Sequence, residues 1–274
     1  MAESIRKLIR LVSYPFLRQI LKLENRHLGQ ECYIFGDGAS IRRFELSAFS
    51  DKVGIAVNTF PRHRDVRELN LRYWLVAEAG FLLPPLLQTR QNPVEGLRNR
   101  LRYQSLYRRR AGDSPNLIQI TSIVNLVGLW RNQTYYFWDK LPRHKSNKDF
   151  PTTDSMFASS ICAAITIAQF LGFKKAYLVG FDYTHNPCTS YHWYEQVDPI
   201  VSPQIPGTYH REFFETMMKH IKIVTVTPTP QSTELPSVDY RSLTGRKLCN
   251  RTNYELLARE DLETLALNPG FKIY

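Results

Sequence analysis

Short apolar runs alternate with segments of helical periodicity along most of this chain, and this alternation limits its possible folds more than any other feature. Apolar runs of about four to eight residues between turn-forming residues are typical of β-strands, and helical segments between them are typical of parallel pairing. The predicted strands are 32–35, 53–57, 73–77, 117–121, 176–179 and 221–226. The sequence therefore predicts an α/β fold: a Rossmann-like parallel sheet with helices on both faces and a small lid.

The clearest helical pattern between predicted strands covers residues 154–171, and Gly172 ends it. Residues 183–210 come after a predicted strand and are rich in His, Tyr, Pro and Ser. Long insertions at the carboxyl ends of parallel strands are usually binding loops or lids. We therefore predict a single α/β domain over residues 29–274, with the lid at about 183–210.

The composition is that of a globular protein. The 274 residues are 43% hydrophobic, which is enough to bury a core and excludes disordered, collagen-like and disulfide-stapled classes. The four cysteines have no paired spacing, so we expect free thiols in a reducing compartment. The sequence has no apolar run of about 18 residues. Any membrane contact is therefore expected to be peripheral.

The chain is strongly basic, with 36 Lys and Arg against 25 Asp and Glu and a net charge of +11. Residues 1–28 have apolar side chains at helical spacing among mostly basic ones, which predicts a basic amphipathic helix. This helix either binds an anionic membrane surface or packs its apolar face on the domain, and the sequence leaves both open. Residues 90–110 are rich in Arg and Tyr. That pattern suits phosphates of nucleic acid, anionic lipid or a phosphorylated glycolipid, and equally a solvated charged surface.

A glycine-rich turn, here called the first turn, follows the first predicted strand and reads Gly36-Asp37-Gly38-Ala39-Ser40. Glycines let backbone N–H groups approach a ligand, and the start of the next helix attracts phosphate, which the serine hydroxyl can also bind. The first turn lacks the third glycine of the dinucleotide fingerprint, so NAD binding is not supported. Taken alone, the pattern also fits a tight strand-to-helix turn without a ligand.

Polar residues also follow other predicted strands. Asn58 ends the second strand, while Gly180 and Asp182 follow the strand at 176–179. Ser159 and Ser160 lie in the segment with the clearest helical pattern. Because the carboxyl ends of parallel strands meet at one edge of a sheet, we expect these residues and the first turn to surround one crevice.

These motifs together resemble the bacterial sialyltransferases of glycosyltransferase family 42, over roughly residues 32–228. Through the first turn alone, the chain more distantly resembles pterin-diphosphokinase-like proteins. The resemblance to family 42 implies one α/β domain with a small lid. It also implies binding of a CMP-activated sialic acid and transfer of the sugar with inversion, without a metal or another cofactor.

The resemblance implies roles for individual residues. The residues expected to bind the nucleotide are Gly36, Asp37, Gly38, Ser40, Asn58, Ser159, Ser160, Gly180 and Asp182. Tyr191, with Tyr183 or its neighbour Thr184, would hydrogen-bond the phosphate of the leaving CMP, and His210 would be the general base. Asp37 stands where the family usually has Asn, which points to a different ulosonic acid on the donor, such as Kdo.

The predicted function is therefore a metal-independent CMP-sugar transferase acting on a lipooligosaccharide, capsule or other glycan acceptor. We expect it in the bacterial cytoplasm, peripheral on the anionic surface of the inner membrane, and the family resemblance suggests a homo-oligomer. Two other classes remain open: an ATP- and Mg²⁺-dependent pterin diphosphokinase, and a basic nucleic-acid-binding module. The latter explains the charge but not the residues at the strand ends, so nucleic acid is not an expected partner.

Three other groups of residues are weaker candidates. His185, Cys188 and His192 could bind zinc, but three ligands at irregular spacing favour ordinary lid residues. The aromatic residues 135–138 are expected in a core or edge strand rather than in a sugar-binding platform. Glu78, at the end of the third predicted strand, is a candidate for contact with the acceptor.

Overall fold

The structure is a computed structural model of the chain, and it describes residues 13–77, 117–125, 133–138, 159–196, 201–202, 210–267 and 271–274. Several regions with sequence-based expectations lie outside the described residues: 1–12, Glu78, the Arg-rich segment 90–110, residues 154–158 of the predicted helix, and residues 197–200 and 203–209 of the predicted lid. The expectations for these regions stay predictions.

An eight-stranded parallel sheet forms the centre of the domain. Its strands are β1 (Glu31–Phe35), β2 (Val53–Val57), β3 (Leu71–Val76), β4 (Ile118–Ser122), β5 (Thr134–Phe137), β6 (Lys175–Val179), β9 (Lys222–Thr227) and β10 (Ser237–Asp239). The order across the sheet is β10-β9-β6-β1-β2-β3-β4-β5. β7 (Cys188–Thr189) and β8 (Val201–Ser202) form a separate antiparallel pair. The predicted α/β fold with a parallel sheet is confirmed.

Each predicted strand is present with bounds shifted by at most two residues, and β5 and β10 extend the sheet at its two edges. β5 confirms that the aromatic residues at 135–137 belong to an edge strand. β10 has only three residues, too few to give a recognisable pattern of apolar residues.

Hydrophobic cores lie on both faces of the sheet. The helices of the first face are α1 (Ser160–Phe170) and α2 (Arg211–Met217). The second face is covered by the β1–β2 connection, with its 3₁₀ helices, and by α3 (Tyr240–Thr244), α4 (Asn253–Leu256) and α5 (Arg259–Leu265). These two layers bury the apolar side chains that the strands present on both sides.

The helix predicted at 154–171 begins, within the described residues, at Ser160. Ser159 has an extended backbone, and its hydroxyl accepts a hydrogen bond from the Cys162 N–H at 3.4 Å, so it is the N-cap of α1. Residues 154–158 lie outside the described residues. α1 is therefore an eleven-residue helix whose N-terminus begins with two serines.

The N-terminal segment, residues 13–28, packs along the first face of the domain. Residues 13–17 are helical and Arg18–Leu23 form a 3₁₀ helix. Leu17, Ile20 and Leu23 are buried in the core. In the described part of this segment the apolar face is thus packed on the protein. No helix among the described residues is long and apolar enough to cross a membrane.

After the neighbouring strands β1 and β6, the chain crosses to opposite faces of the sheet. After β1 the chain enters the second core, through side chains such as Ile41 and Phe44. After β6 it reaches α2, whose Phe213 and Phe214 lie in the first core. This is a topological switch point, and in open α/β sheets the crevice for a ligand forms there, outside the carboxyl ends of the strands.

Candidate functional site

The first turn and the turn after β6 are joined by hydrogen bonds across the switch point. The Gly38 N–H donates to the Gly180 carbonyl at 2.7 Å. Ser40 donates twice to the Asp182 carboxylate, from its backbone N–H at 2.7 Å and from its hydroxyl at 2.5 Å. Asp182 is 3% exposed. Ser40 and Asp182 thus join the two turns at the switch point, and their contact with a nucleotide stays a prediction.

The glycines of these turns are explained by close packing of backbone against backbone. A Cβ atom on Gly38 would lie 2.7 Å from both the Asp182 carboxyl and the Gly180 carbonyl. A Cβ atom on Gly36 would lie 2.7 Å from the same carbonyl. Gly180 itself has a positive φ of 75°, which favours glycine. The motif lies at the switch point, and a tight turn is sufficient to account for its glycines.

Asp37 is used inside the protein. One carboxylate oxygen accepts from the Thr59 hydroxyl at 2.5 Å and from the Thr59 N–H at 3.3 Å, and the other accepts from the Trp193 indole at 3.2 Å. Burial raises the pKa of Asp37, while nearby His192 and the hydrogen bonds from Thr59 and Trp193 lower it. Asp37 therefore connects the first turn to Thr59, just after β2, and to Trp193 in the segment 191–196.

Asn58, directly after β2, has a left-handed backbone with φ of 48°. The Trp74 indole donates to its carbonyl at 2.8 Å, and its own N–H donates to the Leu75 carbonyl at 2.9 Å. Residues in such a conformation cost free energy and persist where their surroundings hold them from several sides, often at functional sites. Asn58 is held in this way at the carboxyl edge of the sheet.

The side chain of Asn58 reaches the N-terminus of α1. Its amide N–H donates to the Ser160 hydroxyl at 3.1 Å. Its Oδ1 is buried and has no hydrogen-bond partner in the part of the chain that the structure describes. A buried acceptor without a partner is costly, so it is suited to an N–H or O–H group of a ligand. The strand end and helix start predicted to converge do lie together here.

The two predicted phosphate-binding tyrosines have different surroundings. Tyr183 packs against the first core near Phe181, with ring centroids 6.2 Å apart. Burial raises the pKa of Tyr183 well above its ordinary value, with a smaller effect of Cys162, so its hydroxyl stays protonated. Tyr191 is partly buried and has a positive φ of 87°. Its neighbour His192 forms a β-bridge with Gly38, which places Tyr191 beside the first turn.

The predicted general base, His210, directly precedes α2 and is half-buried. Its side chain makes no capping hydrogen bond to the helix. Because α2 leads into the parallel strand β9, its N-terminus lies at the carboxyl edge of the sheet, on the same edge as Asn58. His210 therefore lies at the same edge of the sheet as Asn58, and its role as a base stays a prediction.

Part of the predicted lid is held in place by a carboxylate that the motifs did not indicate, that of Glu195. Glu195 accepts from the backbone N–H and from Nδ1 of His192, both at 2.8 Å, and from the Lys272 N–H at 3.0 Å. Burial alone would raise the pKa of Glu195, but the bonds from His192 and Lys272 hold it below its ordinary value. The spacing of three residues between His192 and Glu195 was the only local signal of this pair.

The candidate zinc ligands have other surroundings. Among the described residues, no group of three or more His, Cys, Asp or Glu side chains is arranged to hold a metal ion. His192 pairs with Glu195. His185 is 3% exposed, and burial lowers its pKa against the opposing effects of Asp182 and of a hydrogen bond to Val226.

No protein-family model matches the chain, and no curated protein matches it significantly. Its fold is similar to solved structures of the sialyltransferase CstII from Campylobacter jejuni. The CstII complex with cytidine-5'-monophosphate is 14% identical with a TM-score of 0.44, covering 88% of this chain and 99% of CstII. The complex with CMP-3FNeuAc is 13% identical with a TM-score of 0.45, covering 87% and 100% of the two chains.

A third CstII structure, with a trisaccharide acceptor and CMP, is 15% identical with a TM-score of 0.46, covering 87% of this chain and 100% of CstII. All three comparisons cover most of the chain at low sequence identity. This similarity concerns the fold.

Proposed function

We propose that this chain is a glycosyltransferase that moves a sialic acid-like, ulosonic sugar from a CMP donor to a glycan acceptor, with inversion. The observation that supports it most is the hydrogen bond from Asn58 to Ser160 at the switch point. The Asn58 Oδ1 beside it is buried and has no hydrogen-bond partner among the described residues. The sequence resemblance to family 42 supplies the ligand class.

The contact of Asn58 with Ser160 suits a nucleotide for electrostatic reasons. The first N–H groups of a helix and its dipole attract anions, and α1 begins beside Asn58. Ser159 caps the helix, and the Ser160 hydroxyl, which accepts from Asn58, keeps one lone pair and its proton for further bonds. We propose that Asn58 and Ser160 bind the nucleoside part of CMP, with the first turn forming the base of its site.

In the proposed reaction an acceptor hydroxyl attacks the anomeric carbon of the donor, and the bond from that carbon to the CMP phosphate oxygen breaks. The hydroxyl proton passes to His210, which acts as general base. The phosphate departs with the bonding electron pair, stabilised by the hydroxyls of Tyr191 and Tyr183. These hydroxyl donors supply the stabilisation of the leaving group, so the proposal needs no metal.

The proposed acceptor is the glycan of a lipooligosaccharide or capsule. Such acceptors are built at the inner membrane, so the proposal places the chain in the bacterial cytoplasm as a peripheral membrane protein. Neither nucleic acid nor a cofactor is part of the proposal.

A ligand screen by thermal unfolding tests the proposal. In EDTA, CMP or CTP at about a hundred times its Kd stabilises a single site by about 2.7 kcal/mol, a rise in Tm of about 5 °C for a chain of this size. ATP with Mg²⁺, or NAD, is expected to give no shift. Stabilisation by ATP and Mg²⁺ with none by CMP would contradict the proposal and support the pterin-diphosphokinase alternative.

A further inference from the structure

The N-terminal segment (residues 13–28) has a buried side and an outward side of different composition. Its buried side is apolar: Leu17 is 4% exposed, and Ile20 and Leu23 are fully buried. Hydrogen bonds fix its end to the turn after α1, from the Asn25 N–H to the Phe170 carbonyl at 3.1 Å and from the His27 N–H to the Leu171 carbonyl at 2.8 Å. The buried side of residues 13–28 therefore packs in the protein core and is not available to a membrane.

The outward side presents large hydrophobic residues to solvent. Tyr14 and Phe16 are 50% and 49% exposed, and Leu28 is 75% exposed. Together they make up half of the six large hydrophobic residues that are exposed in the described chain. Single exposed hydrophobic residues are ordinary, but three large ones exposed on one short segment are typical of a contact site.

Cations lie among these aromatic residues. Arg18 and Lys22 are exposed, and neither forms an ion pair within the described ranges of the chain. Glu24 is the only acidic residue in the segment, and it is partly buried. Aromatic rings prefer the headgroup region of a bilayer, and Lys and Arg are attracted to anionic lipids. We infer that the outward side of residues 14–22, which exposes Tyr14, Phe16, Arg18 and Lys22, is a surface that docks on an anionic lipid bilayer.

The position of this docking surface relates it to the crevice. Leu17 packs in one cluster with Ile123, which directly follows β4, and with Tyr136 of β5. The Tyr14 end of the segment therefore lies toward the carboxyl edge of the sheet. A bilayer docked there is on the same edge as Asn58, so a lipid-linked acceptor would be presented near the crevice. This last consequence rests on the proposed function, whereas the docking surface itself does not.

Binding of the full chain to vesicles tests the inference. The probes are phosphatidylglycerol-rich vesicles and pure phosphatidylcholine vesicles, with bound protein measured by co-sedimentation. The variant R18Q/K22Q is expected to lose about 25-fold in partitioning to the anionic vesicles, since each cation near such a surface contributes about fivefold. Tyr14→Ser with Phe16→Ser is expected to lose about tenfold by removing apolar contact.

The matched control is R241Q/K247Q, which removes the same charge from exposed positions at α3 and just after it. Its binding should stay within about twofold of wild type, because charge far from the contact has little effect. Equal losses in the control, or equal binding of wild type to both vesicles, would overturn the inference. So would an aromatic variant that changes the oligomeric state and leaves vesicle binding intact, since the surface would then be a protein interface.

CMP binding separates this inference from the proposed function. The docking variants should bind CMP as wild type does. Vesicle binding that depends on these residues in a chain without CMP affinity would support the docking surface and contradict the transferase.

Discussion

The Asp37 carboxylate accepts a hydrogen bond from the Trp193 indole at 3.2 Å, across 156 positions of sequence. The Trp193 N–H also donates to the Asp37 carbonyl at 3.0 Å. Trp193 is fully buried, so this pair fixes the segment after β7 against the first turn. With Thr59 on its other oxygen, Asp37 joins three connections that surround the crevice.

Removing one donor to Asp37 should destabilise the fold in a pH-dependent way. Thr59→Val keeps the side-chain shape but removes the hydroxyl, and it is expected to lower the free energy of unfolding by about 1–3 kcal/mol at neutral pH. Burial raises the pKa of Asp37 in the folded protein, so stability is lost as pH rises through that pKa and the carboxyl ionises. The Thr59 hydroxyl bonds the ionised carboxylate and offsets part of this loss of stability. The loss should therefore shrink as pH falls below the raised pKa and the carboxyl is protonated.

Urea unfolding of the wild-type and Thr59→Val chains over a range of pH measures how the loss of stability depends on pH. Thr264→Val is the matched control, because its hydroxyl donates to the neutral Glu260 carbonyl at 2.9 Å. The loss in the control should not vary with pH. If the free energy of unfolding lost in Thr59→Val were also the same at every pH, the Thr59 hydroxyl would not stabilise the ionised Asp37 carboxylate.

The glycine at position 38 should be required for packing rather than for its backbone angle. Gly38 has a φ of −65°, which any residue adopts, yet its Cβ would lie 2.7 Å from the Asp182 carboxyl. Gly38→Ala is expected to cost about 1–3 kcal/mol through this overlap. The control is Gly245→Ala, because Gly245 has a φ of 73° and a Cβ atom added there would have no atom within 4 Å. This change should cost about 1 kcal/mol through its backbone conformation alone. Chemical denaturation compares the two, and a Gly38→Ala chain as stable as wild type would contradict the packing of the two turns.

The sheet was predictable because parallel strands buried on both faces are continuous apolar runs. β1, β2 and β6 appear as such runs, and their bounds needed only small changes. The edge strand β10 was missed because it has only three residues, begins with Ser237 and follows Pro236, so it gives no such pattern. The polar residues after the predicted strands then indicated which side chains lie together, because a parallel sheet brings the carboxyl ends of its strands to one edge.

The contacts within the crevice were not predictable, because they depend on side chains distant in sequence. Nothing near Asp37 indicates Thr59 or Trp193 as its partners, so its carboxylate was interpreted as facing a ligand. The same applies to Ser40, whose hydroxyl bonds to Asp182. A local motif shows that a turn is special, but only the packing shows whether a ligand or another turn accounts for it.

The general base should be separable from the donor site. His210→Ala is expected to lower kcat for transfer by about 10²–10⁴-fold while CMP affinity is nearly unchanged, because a base acts on the acceptor proton. His220→Ala is the matched control, since His220 is exposed beyond the other end of α2. Steady-state transfer to a soluble glycan acceptor provides the comparison. If His192→Ala were the inactive variant and His210→Ala the active one, the transferase would stand and the assignment of its base would be wrong.

The most direct test of the account is calorimetric titration of CMP into the wild-type chain and into Asn58 variants, in EDTA. Asn58→Ala and Asn58→Gly both remove the acceptor beside Ser160, and glycine also accepts the positive φ, so it excludes backbone strain as the cause. The control is Asn70→Ala, at the opposite edge of the sheet, where the Asn70 side chain accepts from Arg72 at 3.1 Å. Under the proposed function, wild type and Asn70→Ala bind CMP alike, and both Asn58 variants bind about 10–100-fold more weakly. Equal CMP affinity in all four chains, or no CMP binding by wild type, would contradict it.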